Sequence, residues 1–340
     1  YFNPKIVVID ETTTALSQEG REELYKHMER IRKSGNTVIF ISHDLPEIIE
    51  KSDTITILRD GVYIDTVKSK DVNENDLKKL MVGREVTGDY YRSDYGEKIS
   101  DEVVLSAKHV TVPGLIEDVS FDLHKGEILG FGGLSESGMH EIGKAIFGAS
   151  YDREGTVELA DGTQINDIPT AIKHSIAYTS KDRDNESVVL NQSIGDNICL
   201  PSLDELSGPA HLISDKKKKD FANKFAKQMS VKMVDVNQFV SNLSGGNKQK
   251  VVLARWIGKD SDIVVLDSPT RGIDIKVKQD IYQLMNQMRK NGKSIIMISE
   301  ELMELIGMCD RIMIMKDGKI SGELERDQNL DENGLITMMV

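Results

Sequence analysis

The sequence predicts an α/β fold in which helices cover a largely parallel sheet, and three observations predict it. Apolar runs that end in Asp, "KIVVID" from Lys5 and "DIVVLD" from Asp262, are each followed by a segment of helical period and then a second apolar run. The block containing them occurs twice: Lys5–Ser17 returns at Asp262–Asp274, so that Asp10 falls on Asp267 at an offset of 257. At 340 residues, the chain is long enough for roughly two domains that each bury a core.

Each copy reads as a strand ending in Asp10 or Asp267, a helix, a second strand, a short helix, and a last strand with an Asp-Gly turn. The same offset of 257 carries Tyr25 onto Tyr282, "RKSG" onto "RKNG", "IFISHDL" onto "IMISEEL" and "LRDG" onto "MKDG", without a gap. Only the second copy has an upstream portion: Glu102–Phe131 alternates like strands, a glycine loop follows, and Ile194–Lys250 is largely helical. Residues 1–86 are therefore expected to be the C-terminal part of a first domain, the polar stretch 87–101 a linker, and 102–340 a second domain. The chain opens on "YFNPKIVVID", without Met and already entering a strand, so it is expected to begin inside a domain whose apolar surfaces the rest would cover.

A net charge of −13 argues against nucleic-acid binding, which calls for a basic face. No apolar run approaches the roughly 18 residues of a membrane span. Cys199 and Cys309 lack metal-ligand or disulfide spacing and are expected to be buried thiols. Lys216–Lys219 follows the helix start Ser214-Asp215 and reads as a solvated helix face.

The loop "GLSESGMH" begins at Gly133 and raises the question of phosphate binding. A P-loop reads G-x-x-x-x-G-K-[ST]; Gly133 and Gly138 keep that spacing, while Met139 and His140 stand where Lys and the hydroxyl belong. Downstream come "LSGGNKQK" at Leu243–Lys250, "IVVLD" ending at Asp267, and "MISEEL" from Met297. Ser244, Gly245 and Gly246 lead into a helix expected to begin near Asn247, so backbone N–H groups and the helix dipole would face an anion.

In this order and at these spacings the landmarks resemble the nucleotide-binding domain of ABC transporters, over nearly the whole chain. The resemblance implies a P-loop NTPase (RecA-like) α/β fold with an antiparallel β subdomain and a helical subdomain. It also implies ATP and Mg²⁺ as cofactors. The ATP-binding residues it points to are Gly133, Ser135, Gly138, Met139, His140, Ser244, Gly245, Gly246 and Gln249, with Asp10 and Asp267 holding the metal. Glu11 matches the family's glutamate that activates water, and His43 the switch histidine at the γ-phosphate. Taken singly, Asp10 reads equally as a helix N-cap, Glu11 as a solvated loop residue and His43 as a satisfied loop histidine; order and spacing together favour function.

The copies differ at these positions. Ser268 replaces Glu11, Glu300 replaces His43, Lys181 takes the Q-loop glutamine position, Glu136 adds a carboxylate to the loop, and Pro113 stands near the expected adenine-stacking aromatic. A serine hydroxyl is no useful base near neutral pH. The resemblance thus implies one competent site, using Asp10, Glu11 and His43 with Ser244–Gly246, and one degenerate site at the Gly133 loop. "KDRDNESVVL" and "PTRGID" further resemble ATPase subunits of monosaccharide importers, with nucleoside and autoinducer importers sharing the arrangement. Implied partners are membrane permease subunits and, through them, a periplasmic or lipid-anchored sugar-binding protein, with the chain on the cytoplasmic face of the membrane. A soluble tandem ABC protein and a regulatory pseudoenzyme remain as other readings.

Overall fold

The computed structural model describes residues 4–80 and 90–339, except 11, 17, 43, 60, 61, 75, 78, 79, 96, 209–211, 274, 328 and 329. It divides into two compact units, Tyr1–Asp89 with Asp274–Lys276, and Tyr90–Ile273 with Val277–Val340.

In the first unit, β1 (Ile6–Asp10) pairs in parallel with β2 (Thr37–Ile41) across helix α1 (Gln18–Lys33), with Ile6 opposite Thr37. Helix α2 (Leu45–Lys51) starts at Asp44, whose carboxylate accepts from the Glu47 N–H, with Pro46 in its first turn, where no backbone donor is needed. β3 (Thr54–Arg59) and β4 (Val62–Lys68) close the unit as an antiparallel hairpin.

The second unit begins with the antiparallel sheet of β5 (Val103–Val112), β6 (Ile116–His124) and β8 (Glu154–Leu159), in the order β6-β5-β8. A six-stranded sheet carries the site, in the order β13-β12-β7-β11-β10-β9. Its strands are β7 (Ile128–Gly133), β9 (Ile176–Thr179), β10 (Ile263–Asp267), β11 (Ser294–Ile298), β12 (Arg311–Lys316) and β13 (Lys319–Glu325). All pairings are parallel except β12 with β13. β7, β10 and β11 are buried at every residue, which explains their unbroken Val, Ile and Leu runs: a parallel sheet covered on both faces has no polar side to alternate with.

Helices α3 (Met139–Ile146) and α4 (Ile168–Lys173) flank the sheet, and α5 (Ile194–Cys199), α6 (Leu203–Leu206), α7 (Asp215–Gln228) and α8 (Gly245–Lys259) supply the helical part. Helices α9 (Ile275–Lys290), α10 (Leu302–Met308) and α11 (Glu332–Met339) complete the chain. Cys199 and Cys309 are buried free thiols, and burial pushes the Cys199 thiol up to about 11. Helix α7 begins at Asp215 after Ser214, and its Lys218 is paired with Asp196 rather than left to solvent.

The two copies share more than strands. In the second unit, buried Glu304 accepts from Thr270, Tyr282 and Ser299, joining the loop after β10 to the end of β11. In the first, Glu47 accepts from Thr13, Tyr25 and Ser42, the same residue types 257 positions earlier.

Within the expected linker, Tyr90–Asp94 packs on the second unit. Tyr90 and Tyr91 lie against Tyr282, with ring centroids 5.4 and 5.3 Å away. The Arg92 guanidinium is buried, bonded to Asp310 at 2.7 Å, to the Met308 carbonyl at 2.7 Å and to Asp94 at 3.0 Å. An arginine and two tyrosines turn a polar stretch into a docked strap.

Candidate nucleotide site of the second copy

The glycine loop runs from the end of β7 to the start of α3. Gly138 caps α3 at φ +89°, and a Cβ there would lie 2.6 Å from both Ile116 Cγ2 and the Leu115 carbonyl oxygen, so only glycine fits. Ser135 and Glu136 are exposed at the crest, whereas the Met139 side chain is wholly buried in the core. Position 139 therefore offers a ligand only its backbone N–H.

His140, in the first turn of α3, reaches the end of β10. Its Nδ1 donates to Asp267 Oδ1 at 2.7 Å, and the same oxygen accepts from Ser268 Oγ at 3.2 Å. Nε2 lies 3.3 Å from Glu300 Oε1, which also accepts from Lys181 Nζ at 2.6 Å and from Ser135 Oγ at 2.8 Å. Lys181 Nζ sits 3.1 Å from His140 Nε2, so two cations converge on one carboxylate. Burial alone would lower the imidazole; its bonds to Asp267 and Glu300 outweigh that and raise it to about 9, keeping both ring nitrogens protonated at neutral pH. The bond from His140 holds Glu300 well below the usual carboxylate range despite its burial, with Lys181 and Ser135 adding to it.

A cavity of about 550 Å³ opens beside this cluster, lined by His140, Lys144, Lys181, Glu186, Asp267 and Arg271 among others. Lys144 faces it, paired at 2.8 Å with Glu186 on the single π-helical turn Arg183–Ser187. From the sequence, Lys144 lies one turn further down the helix and reads as poorly placed to replace the P-loop lysine, yet it lines this cavity; Glu186 carried no signal in the sequence.

Of the other expected site residues, Gly133 is packed against Ser137 and the Met315 carbonyl, which leaves no room for a Cβ. The signature helix α8 begins at Gly245, two residues earlier than expected, with Ser244 in the extended N-cap conformation. Gly245 and Gly246 form its first turn, beside the Arg183 guanidinium at Gly245. Gln249, one turn on, is buried. Pro113 is exposed in the turn between β5 and β6. In the first copy, Asp10 stands exposed at the end of β1, while Glu11 and His43 lie outside the described residues.

The parallel sheet, its strand-to-helix glycine turn and the signature helix define a P-loop nucleotide-binding cassette. An ABC transporter family model matches residues 116–271, so the second copy carries an ABC transporter ATP-binding domain. It is 41% identical over 330 residues to a ribose import ATP-binding protein of Lactococcus lactis subsp. lactis (strain IL1403), covering 97% of this chain and 66% of that one. It is 43% identical over 336 residues to a xylose import ATP-binding protein of Thermoanaerobacter pseudethanolicus, covering 95% and 66%. The chain thus spans just under two thirds of these relatives' length. Among solved structures it resembles a dimeric ATP-binding cassette in a post-hydrolysis state bound to ADP and Pi, with a TM-score of 0.58, 21% identity, and coverage of 66% of this chain and 99% of the other. A nucleotide-free cassette from an ABC transporter matches at TM-score 0.58 and 17% identity, covering 70% and 99%. These likenesses establish the fold.

Proposed function

We propose that the chain is part of the ATP-binding subunit that energises a sugar importer, hydrolysing ATP at the site of the first copy. The observation that carries this reading is the repeat at an offset of 257 residues, in which Asp10, Glu11 and His43 keep the family's residue types while Ser268 and Glu300 do not. The names of the relatives, ribose and xylose import ATP-binding proteins, support a sugar over a nucleoside or autoinducer.

In this reading Glu11 orients or deprotonates the attacking water and His43 contacts the γ-phosphate, while Ser244, Gly245 and Gly246 bind ATP through N–H groups at the start of α8. Asp10, an exposed carboxylate at the carboxyl end of a parallel strand, offers the hard oxygen that Mg²⁺ takes, and the bound ion would offset phosphate charge. Helical segments around Gln192–Leu206 pass the movement to membrane permease subunits, which receive the sugar from a binding protein. The subunit then works at the cytoplasmic face of the membrane. Among the described residues, no helix is long and apolar enough to cross it.

Uptake of labelled sugar by the complete transporter tests this. Glu11→Gln is expected to abolish transport and Ser268→Ala to change it by less than about twofold, since a serine hydroxyl supplies no base; the reverse pattern would reject the asymmetry.

A further inference from the structure

A P-loop site with Mg²⁺ needs lone pairs facing the ion from the aspartate at the end of a buried strand, here Asp267, and from a hydroxyl at the start of the helix. The second copy offers neither arrangement. Asp267 is 1% exposed, and its Oδ1 already accepts two hydrogen bonds. The position of the hydroxyl holds an imidazole, which turns an N–H toward Asp267 rather than a lone pair toward a cation. The donor set does not fit the ion.

The side chains present reproduce the charge pattern of an occupied site. His140 sits against Asp267, where the cation would be, and the Glu300 carboxylate receives Ser135 Oγ, His140 Nε2 and Lys181 Nζ, where a terminal phosphate would receive loop, metal and Q-loop contacts. Both carboxylates are met by donors of the chain, Asp267 by His140 and Ser268, and Glu300 by Ser135, His140 and Lys181, so the cluster is paired without a ligand. An incoming triphosphate would set its terminal charge against Glu300, a like-charge contact in a partly buried place.

We infer that the second copy's nucleotide site is filled by the chain itself, His140 standing in for the divalent cation and Glu300 for the terminal phosphate, so that it takes no metal-bound nucleoside triphosphate. The inference deepens the reading of this site as degenerate: it specifies a built-in substitute that holds the glycine loop, β10 and β11 together in the absence of nucleotide. It does not depend on which solute is transported or on hydrolysis at Glu11.

Photolabelling of the chain with 8-azido-ATP, with Mg²⁺ or with EDTA, followed by mass-spectrometric mapping, separates the two copies by peptide. The expected result is no Mg²⁺-dependent labelling of peptides around the Gly133 loop. In Met139→Lys/His140→Thr/Glu300→His, labelling there should rise by about tenfold or more and be lost with EDTA. Thermal unfolding checks that this variant is folded, and Mn²⁺ paramagnetic resonance gives a second readout, with nucleotide-dependent Mn²⁺ binding gained by the variant over the parent. Mg²⁺-dependent labelling of the Gly133 loop in the unsubstituted chain would overturn the inference. So would a folded triple variant that gains neither labelling nor Mn²⁺. Failure of the uptake test with Glu11→Gln would leave these outcomes unchanged, so the two readings fail separately.

Discussion

Glu304 shows how much one buried side chain organises. It is 1% exposed and accepts from Thr270 at 2.6 Å, Ser299 at 2.9 Å and Lys278 at 3.3 Å, as well as from Tyr282. Thr270 follows β10, and Ser299 immediately precedes Glu300, so one carboxylate sets the spacing of two loops beside the His140 cluster. A buried charge with four donors is costly to unpair from either side. Glu304→Ala is expected to lower stability by about 3 kcal/mol, because Lys278 and three hydroxyls lose an acceptor at once. Tyr282→Phe, which removes a single bond to a charged acceptor, should cost about 1–2 kcal/mol. Urea denaturation of the two variants checks the order; equal losses would mean that the bond from Tyr282 accounts for all that Glu304 contributes, and that Thr270, Ser299 and Lys278 add nothing.

At the scale of elements, the repeat made the strands legible in the sequence but not their surroundings. "IVVID" and "IVVLD" form strands with the same parallel register, Ile6 opposite Thr37 and Ile263 opposite Ser294. Yet Ile6 and Val8 are each 59% exposed, while every residue of β10 is buried between β9 and β11. Hydrophobic pattern reports what a strand can bury, and only its neighbours decide whether it does. The helical start of the signature was legible for a similar reason, since Ser-Gly-Gly before a polar helix is a local signal, although the boundary came two residues early. The strap Tyr90–Asp94 was not legible: polar, acidic composition reads as linker, and the Arg92–Asp310 contact spans 218 positions that no local pattern can join. The His140–Asp267–Glu300 cluster was half legible. Glu300 stood out against His43 of the first copy and His140 against the P-loop pattern, but their mutual bonding depends on the sheet order that brings α3, β10 and β11 together. Because Arg92 is buried and bonded to two carboxylates and a carbonyl, Arg92→Ala is expected to cost about 3 kcal/mol. Thermal or urea unfolding of that variant measures it, and a loss under about 0.5 kcal/mol, as for a plain surface residue, would show that the strap is not anchored.

For the whole molecule, the function proposed above gives the same residue type at the end of the same strand two different purposes. Asp10 is exposed, whereas Asp267 is buried and bonded to an imidazole held protonated by its neighbours. A side chain that stabilises an ion or a transition state does little for folding until its ligand arrives, and one that pairs internally contributes to folding at once. Asp10→Asn is therefore expected to leave the unfolding midpoint nearly unchanged, within about 0.5 kcal/mol, and to lower ATP turnover of the complete polypeptide by about a hundredfold or more. Asp267→Asn leaves His140 without its charged partner in a buried place, and should lower stability by about 2–3 kcal/mol in the absence of any nucleotide. Adding Mg²⁺ and ATP discriminates further. Ligand bound only to the native state raises the midpoint through mass action, so nucleotide is expected to stabilise the complete polypeptide through Asp10, and this gain should vanish in Asp10→Asn while persisting in Asp267→Asn. If both substitutions removed the nucleotide-dependent gain equally, the two aspartates would share one role, and the division of labour between the copies would have to be abandoned.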